Sequence, residues 1–165
     1  AGLGVSPADL SWRAGVDVLA LGGTKNGGFF GEALLFFRKE LAEDFNYRCK
    51  QGGQLASKMR FIAAQWLGML QNSTWLTNAA HANAMARRLT EQLPTIPGVA
   101  LKFPVEANAL FVELAPAAQR KLQELGWRFY NFIGNGGIRL MTSWNTQPET
   151  VDRFAVDCRN AVENR

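Results

Sequence analysis

The 165-residue sequence predicts a mixed α/β protein made of two parts. Near the start, two apolar runs at residues 16–21 and 33–37 flank a glycine-rich turn, which is typical of buried strands joined by a loop. Helical periodicity then dominates residues 55–93. Beyond residue 95 short strand patterns alternate with short helical ones, which predicts a small α+β layer. The Pro-containing connector at residues 95–98 is therefore the predicted boundary.

Four helices are predicted in the first part in addition to its two strands. A short helix is expected at residues 6–14, because Ser6 is a common cap and Pro7 suits the first helical position. Apolar residues at a spacing of four predict a second helix at residues 38–50. The third, at residues 55–70, carries a wide apolar stripe, and Asn72-Ser73 separates it from a long helix at residues 74–93.

The second part follows the order strand, strand, helix, strand, strand, helix. The predicted strands lie at residues 99–105, 109–114, 127–132 and 138–143, with a turn at residues 134–137. Pro116 opens the first helix, which covers residues 117–125 and is closed by Gly126. Thr146 and Glu149 have the spacing of a capping box, so the last helix is expected to begin there.

Composition excludes several classes of function. The net charge is +4, and the basic residues are spread along the chain rather than gathered into the stripe that nucleic-acid binding requires. No window approaches the ~18 apolar residues of a membrane span. Cys49 and Cys158 are the only cysteines, so neither a disulfide framework nor a metal site is expected. Free cysteines fit a reducing cytoplasm, which is the predicted location.

The most informative stretch is Gly22-Gly-Thr-Lys-Asn-Gly-Gly28, which places Lys25 on a glycine-padded turn between the first two strands. Glycines allow a tight turn and the close approach of a ligand. A lysine held beside apolar walls can lose its proton and act as a nucleophilic amine, as in Schiff-base enzymes. The alternative is an ordinary solvated turn residue. A phosphate-binding P-loop is excluded, because that motif requires Ser or Thr after the lysine and this chain has Asn26.

Three segments in the same order resemble one enzyme family. The Lys25 segment, continued by Gly31-Glu-Ala-Leu-Leu-Phe-Phe37, resembles the cofactor-lysine segment of low-specificity L-threonine aldolases. The segments at residues 50–60 and 137–143 also resemble that family. These aldolases belong to the β-eliminating lyase group of enzymes that use pyridoxal 5′-phosphate (PLP). Three ordered matches are far more specific than any one of them.

The resemblance implies the fold and its division. The family has the aspartate aminotransferase type of fold, and this chain matches its C-terminal half. Residues 1–94 would then belong to the PLP-binding large domain with its connecting helices, and residues 95–165 would form the small α+β domain. The chain would be a fragment, with the missing N-terminal half and further copies of the protein as partners in a homo-oligomer.

The resemblance also implies roles for four residues. Lys25 would form the imine with PLP, Thr24 would offer its hydroxyl to the cofactor phosphate, and Lys50 would line the active site. Arg139 would bind the substrate α-carboxylate. Three of these residues also have a structural alternative. Thr24 can stabilise the turn, and Lys50 can complement the negative end of a helix dipole. Arg139 can point outward or form a salt bridge.

The implied reaction cleaves the Cα–Cβ bond of threonine, or of other β-hydroxy-α-amino acids, to glycine and an aldehyde. The family's pyridine-binding aspartate, ring-stacking histidine and phosphate loop have no counterpart in this sequence. We therefore expect little or no activity from the 165 residues alone. The sequence does not identify the catalytic base. His81 lies among alanines without a predicted orienting partner, which favours a structural role.

Two alternatives remain open from the sequence. The parent protein could be another PLP enzyme of the same fold, such as a different lyase or an aminotransferase. The chain could instead be a non-catalytic interaction module that uses the apolar stripe of residues 55–70 as its partner surface. In that case Lys25 would be an ordinary amine.

Overall fold

The computed structural model describes residues 1–133 and 136–163. The chain forms two compact units: the first contains Ala1 and Leu3–Thr77, and the second contains Gly2 and Asn78–Arg165. The domain boundary that the sequence predicts after residue 94 stays a prediction. The first two residues of the predicted 134–137 turn lie outside the described residues.

In the first unit, a pair of antiparallel strands holds the glycine-rich turn. Strand β1 is Val18–Gly22 and strand β2 is Glu32–Phe36, with Leu19 paired to Leu35. Their positions agree with the predicted runs within two residues. The expectation that they are buried is wrong for this unit: their side chains are half-buried or exposed, because a ribbon of two strands has no complete covering layer here.

The first unit is less helical than the sequence predicts before residue 58. The expected helix at residues 6–14 is reduced to a 3-10 turn at Trp12–Ala14. The expected helix at residues 38–50 is split into a 3-10 turn, Lys39–Ala42, and helix α1, Phe45–Gln51. Asp44, at the split, has a left-handed backbone with φ 57°, which a continuous right-handed helix cannot contain.

Two longer helices follow. Helix α2, Met59–Leu70, starts four residues later than predicted, and its Met69 is buried. The predicted break is confirmed, because Asn72 and Ser73 both have left-handed backbone angles, with φ 53° and 56°. Helix α3, Thr74–Gln92, then runs on from the first unit into the second. Within the described residues no helix is long and apolar enough to cross a membrane.

The second unit is built on a four-stranded antiparallel sheet in the order β3-β4-β6-β5. Its strands and helices are β3, Ala100–Leu101; β4, Ala109–Glu113; α4, Pro116–Glu124; β5, Tyr130–Ile133; β6, Gly137–Met141; and α5, Pro148–Glu163. The predicted order of strands and helices is therefore confirmed. The first strand is much shorter than expected, because Pro104 interrupts the predicted 99–105 run and has no N–H to donate.

Alternation along the strands gives the sheet a buried and an open face. Alternate residues of β4 and β6 contribute to one hydrophobic core with α3, α4 and α5, and the side chains between them lie on the opposite face. The core side chains from these elements include Leu89, Leu93, Leu110, Val112, Leu122, Ile138, Leu140, Phe154 and Cys158. The second unit thus carries the main core of the chain.

Two polar contacts fix the chain before α5. The ring Nε2 of His81 lies 2.7 Å from the carbonyl oxygen of Thr146, which gives this histidine a structural partner. The predicted capping box is wrong in detail: the helix begins at Pro148, and the Thr146 hydroxyl accepts a hydrogen bond from the Ser143 backbone N–H at 2.9 Å.

Candidate functional site

Lys25 lies on the turn that joins β1 to β2, and its side chain is exposed together with that of Thr24. The turn is closed by backbone hydrogen bonds: the N–H groups of Asn26 and Gly28 donate to the carbonyl oxygen of Gly23 at 3.2 and 3.0 Å. The Lys25 amine thus lies at the tip of a loop that hydrogen bonds hold closed. Because the side chain is exposed, an aldehyde can reach the amine.

The glycines around Lys25 are explained by close packing within the first unit. A Cβ on Gly28 would lie 2.8 Å from the Gly23 carbonyl oxygen, and one on Gly31 would lie 2.7 Å from Cγ2 of Ile62 on α2. Both separations are shorter than real Cβ contacts allow. Gly27 and Gly31 also have left-handed backbones, with φ 104° and 123°. Any larger residue at Gly28 or Gly31 would therefore displace the loop that carries Lys25.

Side-chain amides add two further tethers to this loop. The Asn26 amide nitrogen donates to the Trp75 carbonyl oxygen at 2.8 Å, which ties the turn to the start of α3. The Gln65 side-chain oxygen, on α2, accepts from the backbone N–H of Phe29 at 2.6 Å. The sequence carries no signal for this role of Gln65, because its helical position alone does not indicate a partner 36 residues earlier in the chain.

Lys50 lies in the last turn of α1, and its side chain is exposed. Its carbonyl oxygen accepts a hydrogen bond from the Gly53 N–H at 3.2 Å, and Gly52 caps the C-terminus of the helix. This is the position in which a lysine complements the negative end of the helix dipole. The geometry is thus compatible with either of the roles considered for Lys50.

Arg139 is in the middle of β6, between the buried residues Ile138 and Leu140. It therefore lies on the open face of the sheet and is half-buried. Its Nε atom is buried and has no hydrogen-bond partner. Within residues 1–133 and 136–163, Arg139 also forms no salt bridge. Within the described residues, the structural alternative in which Arg139 forms a salt bridge is therefore not observed.

Aromatic side chains accompany Arg139 on the open face. Phe111 on β4 and Tyr130 on β5 are its direct partners across the sheet. The Cζ atom of Arg139 lies 5.3 Å from the centroid of the Phe132 ring. Strand pairing brings residues together that are distant along the chain. Phe111 and Arg139, for example, are 28 positions apart. Strand alternation predicts the face, but only the strand order identifies the neighbours.

The predicted site residues are distributed over both units. Thr24, Lys25 and Lys50 belong to the first unit, and Arg139 belongs to the second. Thr24 and Lys25 are adjacent on one turn, whereas Lys50 lies on a separate helix. No group of three or more metal-ligating side chains occurs in the part of the chain that the structure describes.

The family is decided by a comparison with protein-family models. The model of the beta-eliminating lyases matches residues 1–117, which is most of the chain and includes the Lys25 turn. The chain belongs to the beta-eliminating lyase family. The resemblance found in the sequence is thereby confirmed.

Two curated relatives of this beta-eliminating lyase chain are low specificity L-threonine aldolases. The protein of Pseudomonas aeruginosa is 60% identical over 157 residues, and that of another Pseudomonas is 56% identical over the same length. Both alignments cover 95% of this chain and 45% of the relative. The chain thus spans about half the length of the curated relatives it matches.

A solved structure supports the same assignment of the fold. The threonine aldolase of Leishmania major matches with a TM-score of 0.85 and 28% sequence identity, over 96% of this chain and 46% of that one. The predicted α/β fold class, part of the PLP-dependent transferase-like fold, is confirmed by this match.

Proposed function

We propose that the protein carrying this chain is a PLP-dependent aldolase that cleaves threonine or other β-hydroxy-α-amino acids to glycine and an aldehyde. Membership of the beta-eliminating lyase family and the identity with threonine aldolases support this proposal. The observation that carries it is Arg139, a half-buried arginine with a buried Nε that lacks a partner on an open sheet face. A buried guanidinium nitrogen without a partner is costly unless an anion satisfies it.

The residues present fit a PLP site and its amino-acid substrate. When bound, the cofactor supplies the electron sink that accepts the electron pair of the broken Cα–Cβ bond. The Lys25 amine would hold the cofactor through its aldehyde carbon. The Thr24 hydroxyl and the Lys50 ammonium group would bind or neutralise the phosphate. These assignments use the accessible amine on the Lys25 turn and the exposed side chains of Thr24 and Lys50.

Arg139 would bind the α-carboxylate of the substrate. Its planar guanidinium matches a carboxylate with two parallel hydrogen bonds, which fixes the orientation of the amino acid as well as its position. Orientation matters because it determines which bond of the amino acid would be placed for cleavage. A lysine in its place would keep the positive charge and lose the two-pronged geometry.

The other parts of the proposal concern the complete protein. Because this chain spans 45% of its curated relatives, we propose that the remaining segment and a homo-oligomeric partner complete the cofactor site. The 165 residues alone are then expected to have little activity. We place the protein in the cytoplasm, a proposal supported by the free thiols of Cys49 and Cys158.

The experiment is a product assay on the complete protein loaded with PLP. With L-threonine we expect equimolar glycine and acetaldehyde, and no keto acid, which would instead indicate another lyase or an aminotransferase. Lys25→Ala should abolish turnover, whereas Lys39→Ala, an exposed lysine in the 3-10 turn after β2, should not change it. Production of a keto acid, or full activity of Lys25→Ala, would reject the proposal.

A substrate-affinity measurement tests the role of Arg139. Arg139→Lys loses a charge-assisted hydrogen bond of about 1.5 to 3 kcal/mol, so KM for threonine should rise about tenfold to hundredfold. Arg128→Lys is the matched control, because this exposed arginine donates to the carbonyl oxygens of Gln123 and Trp127. An unchanged KM in Arg139→Lys would remove Arg139 from the substrate site.

A further inference from the structure

The aromatic ring beside Arg139 is arranged as a partner for its guanidinium. The 5.3 Å separation between the Arg139 Cζ atom and the centroid of the Phe132 ring lies within the range of cation–π interactions. Phe132 is on β5 and Arg139 is on the adjacent strand β6. The ring is therefore supplied by the neighbouring strand, at the register shift between Asn131 and Ile133 that leaves Phe132 without a paired residue on β6.

The Phe132 ring contacts the ring of Phe111, which in turn contacts a third ring. Its centroid lies 5.1 Å from that of Phe111, with an angle of 44° between the ring planes. Phe111 is the residue of β4 paired directly with Arg139 and also contacts Phe103 edge-to-face at 5.6 Å. Aromatic pairs at these separations are mutually attractive. The ring beside the guanidinium is thus part of a row of three rather than a lone exposed side chain.

This arrangement restricts the guanidinium without using its hydrogen-bond donors. An arginine side chain has many rotamers, and fixing them costs conformational entropy. Among the described residues Arg139 forms no salt bridge, and its buried Nε has no hydrogen-bond partner. The attraction to the ring restrains the charged end, and the terminal N–H donors of the guanidinium are not engaged by a hydrogen bond within the described residues.

We infer that Phe132 is a positioning residue that holds the Arg139 guanidinium ready for the substrate carboxylate. The inference rests on the proposed function of Arg139 and adds a second residue to it. Phe132 acts through Arg139 and need not touch the substrate. Restraint of the guanidinium before binding reduces the entropy lost on binding, which is the general advantage of preorganisation.

The test compares two amines that differ by a carboxylate. Glycine has the carboxylate and methylamine lacks it, so Arg139 should distinguish them. Binding is measured by titrating the cofactor absorbance of the complete, PLP-loaded protein. In Phe132→Leu we expect glycine to bind about fivefold more weakly, or about 1 kcal/mol, with methylamine unchanged. KM for threonine should rise by a similar factor, whereas kcat should stay constant, because the carboxylate contact is equal in ground and transition states.

Two matched variants separate positioning from a general effect on the fold. Phe132→Tyr keeps the aromatic face and should bind glycine with the affinity of the parent protein, in contrast to Phe132→Leu. Phe103→Leu makes the same substitution in a ring that contacts Phe111 but is not the ring near Arg139, and should leave glycine binding unchanged. If Phe132→Leu does not fold, Phe132→Met provides the same loss of the ring in a more flexible side chain.

The outcomes distinguish the two proposals. If Arg139→Lys weakens glycine relative to methylamine and Phe132→Leu does not, the positioning role is overturned and the role of Arg139 stands. Equal weakening of both amines by Phe132→Leu would indicate a merely structural role and would also overturn the inference. If Arg139→Lys leaves glycine binding intact, both proposals fail together.

Discussion

The substitution Gly28→Ala tests whether the closed loop positions Lys25 for a cofactor. The added methyl carbon would lie 2.8 Å from the Gly23 carbonyl oxygen, 3.1 Å from its carbonyl carbon and 3.3 Å from the Met69 sulfur. Two of these atoms are backbone, so no side-chain rotation can relieve the clash. The same movement would stretch the 3.0 Å hydrogen bond from the Gly28 N–H to the Gly23 carbonyl oxygen.

The magnitude follows from these two contacts. Inserting a methyl group into a tight contact costs about 1 to 3 kcal/mol, and loss of the hydrogen bond adds about 1 kcal/mol. If the loop relaxes when empty and must return to its closed form to hold PLP, the lower end of the summed cost, about 2 kcal/mol, weakens cofactor binding about 30-fold. Gly28→Ala should therefore lower the affinity for PLP more than it lowers the turnover rate of the PLP-loaded protein.

The assay is a titration of the cofactor-free complete protein with PLP, followed by absorbance. Gly68→Ala is the matched control, because a Cβ at Gly68, within α2, would meet open space. That variant should bind PLP normally and gain about 0.5 to 1 kcal/mol of helix stability. If Gly28→Ala binds PLP within twofold of the parent protein, the loop geometry does not control the position of Lys25.

Three further predictions concern the second unit. Burial raises the pKa of the Cys158 thiol to about 11, so a thiol reagent at pH 8 should label it only after denaturation, as judged by peptide mass spectrometry. Hydrogen bonds from Arg88 and Gln92 lower the pKa of Asp152 from 3.8 to about 2, so its stabilising contribution is present above pH 3.8 and is lost as the pH falls through about 2. The Tm difference between the parent protein and Asp152→Asn should shrink over that interval, and a constant difference would refute this. Leu122→Ala removes a side chain of zero exposure and should cost about 2 to 5 kcal/mol in unfolding free energy, measured with denaturant.

The second unit was predictable because its patterns are local and consistent. In β4 and β6 every other residue is apolar and buried, and helix α5 carries its apolar residues on one face. Pro116 begins α4 as its fixed backbone angle predicts. In such segments periodicity, helix signals and packing all favour the same structure, so a single sequence is sufficient.

The first unit was less predictable because its structure depends on distant partners. The apolar runs of β1 and β2 predict burial, which needs a covering layer that this unit does not fully supply. The helix is broken at Asp44 by a left-handed backbone conformation. Aspartate also occurs within helices, so neither this residue type nor the apolar periodicity around it predicts the break. Neither feature is encoded in a short window of sequence.

The candidate site shows the same division between local and long-range information. The position of Lys25 between two strands, and of Arg139 within a strand, followed from the sequence pattern. The contact between Gly31 and Ile62, the tether from Gln65 and the ring of Phe132 did not. Each of those depends on a partner that only the packing of helices or the register of strands selects.

We propose that Lys25 is the amine that holds PLP. The most direct measurement is reduction of the PLP-loaded complete protein with borohydride, followed by protease digestion and mass spectrometry of the labelled peptides. We expect one phosphopyridoxyl group, on Lys25, and no label when L-threonine is added in excess before reduction. A label on Lys39 or Lys50 instead, or no label on any lysine of a catalytically active sample, would contradict it.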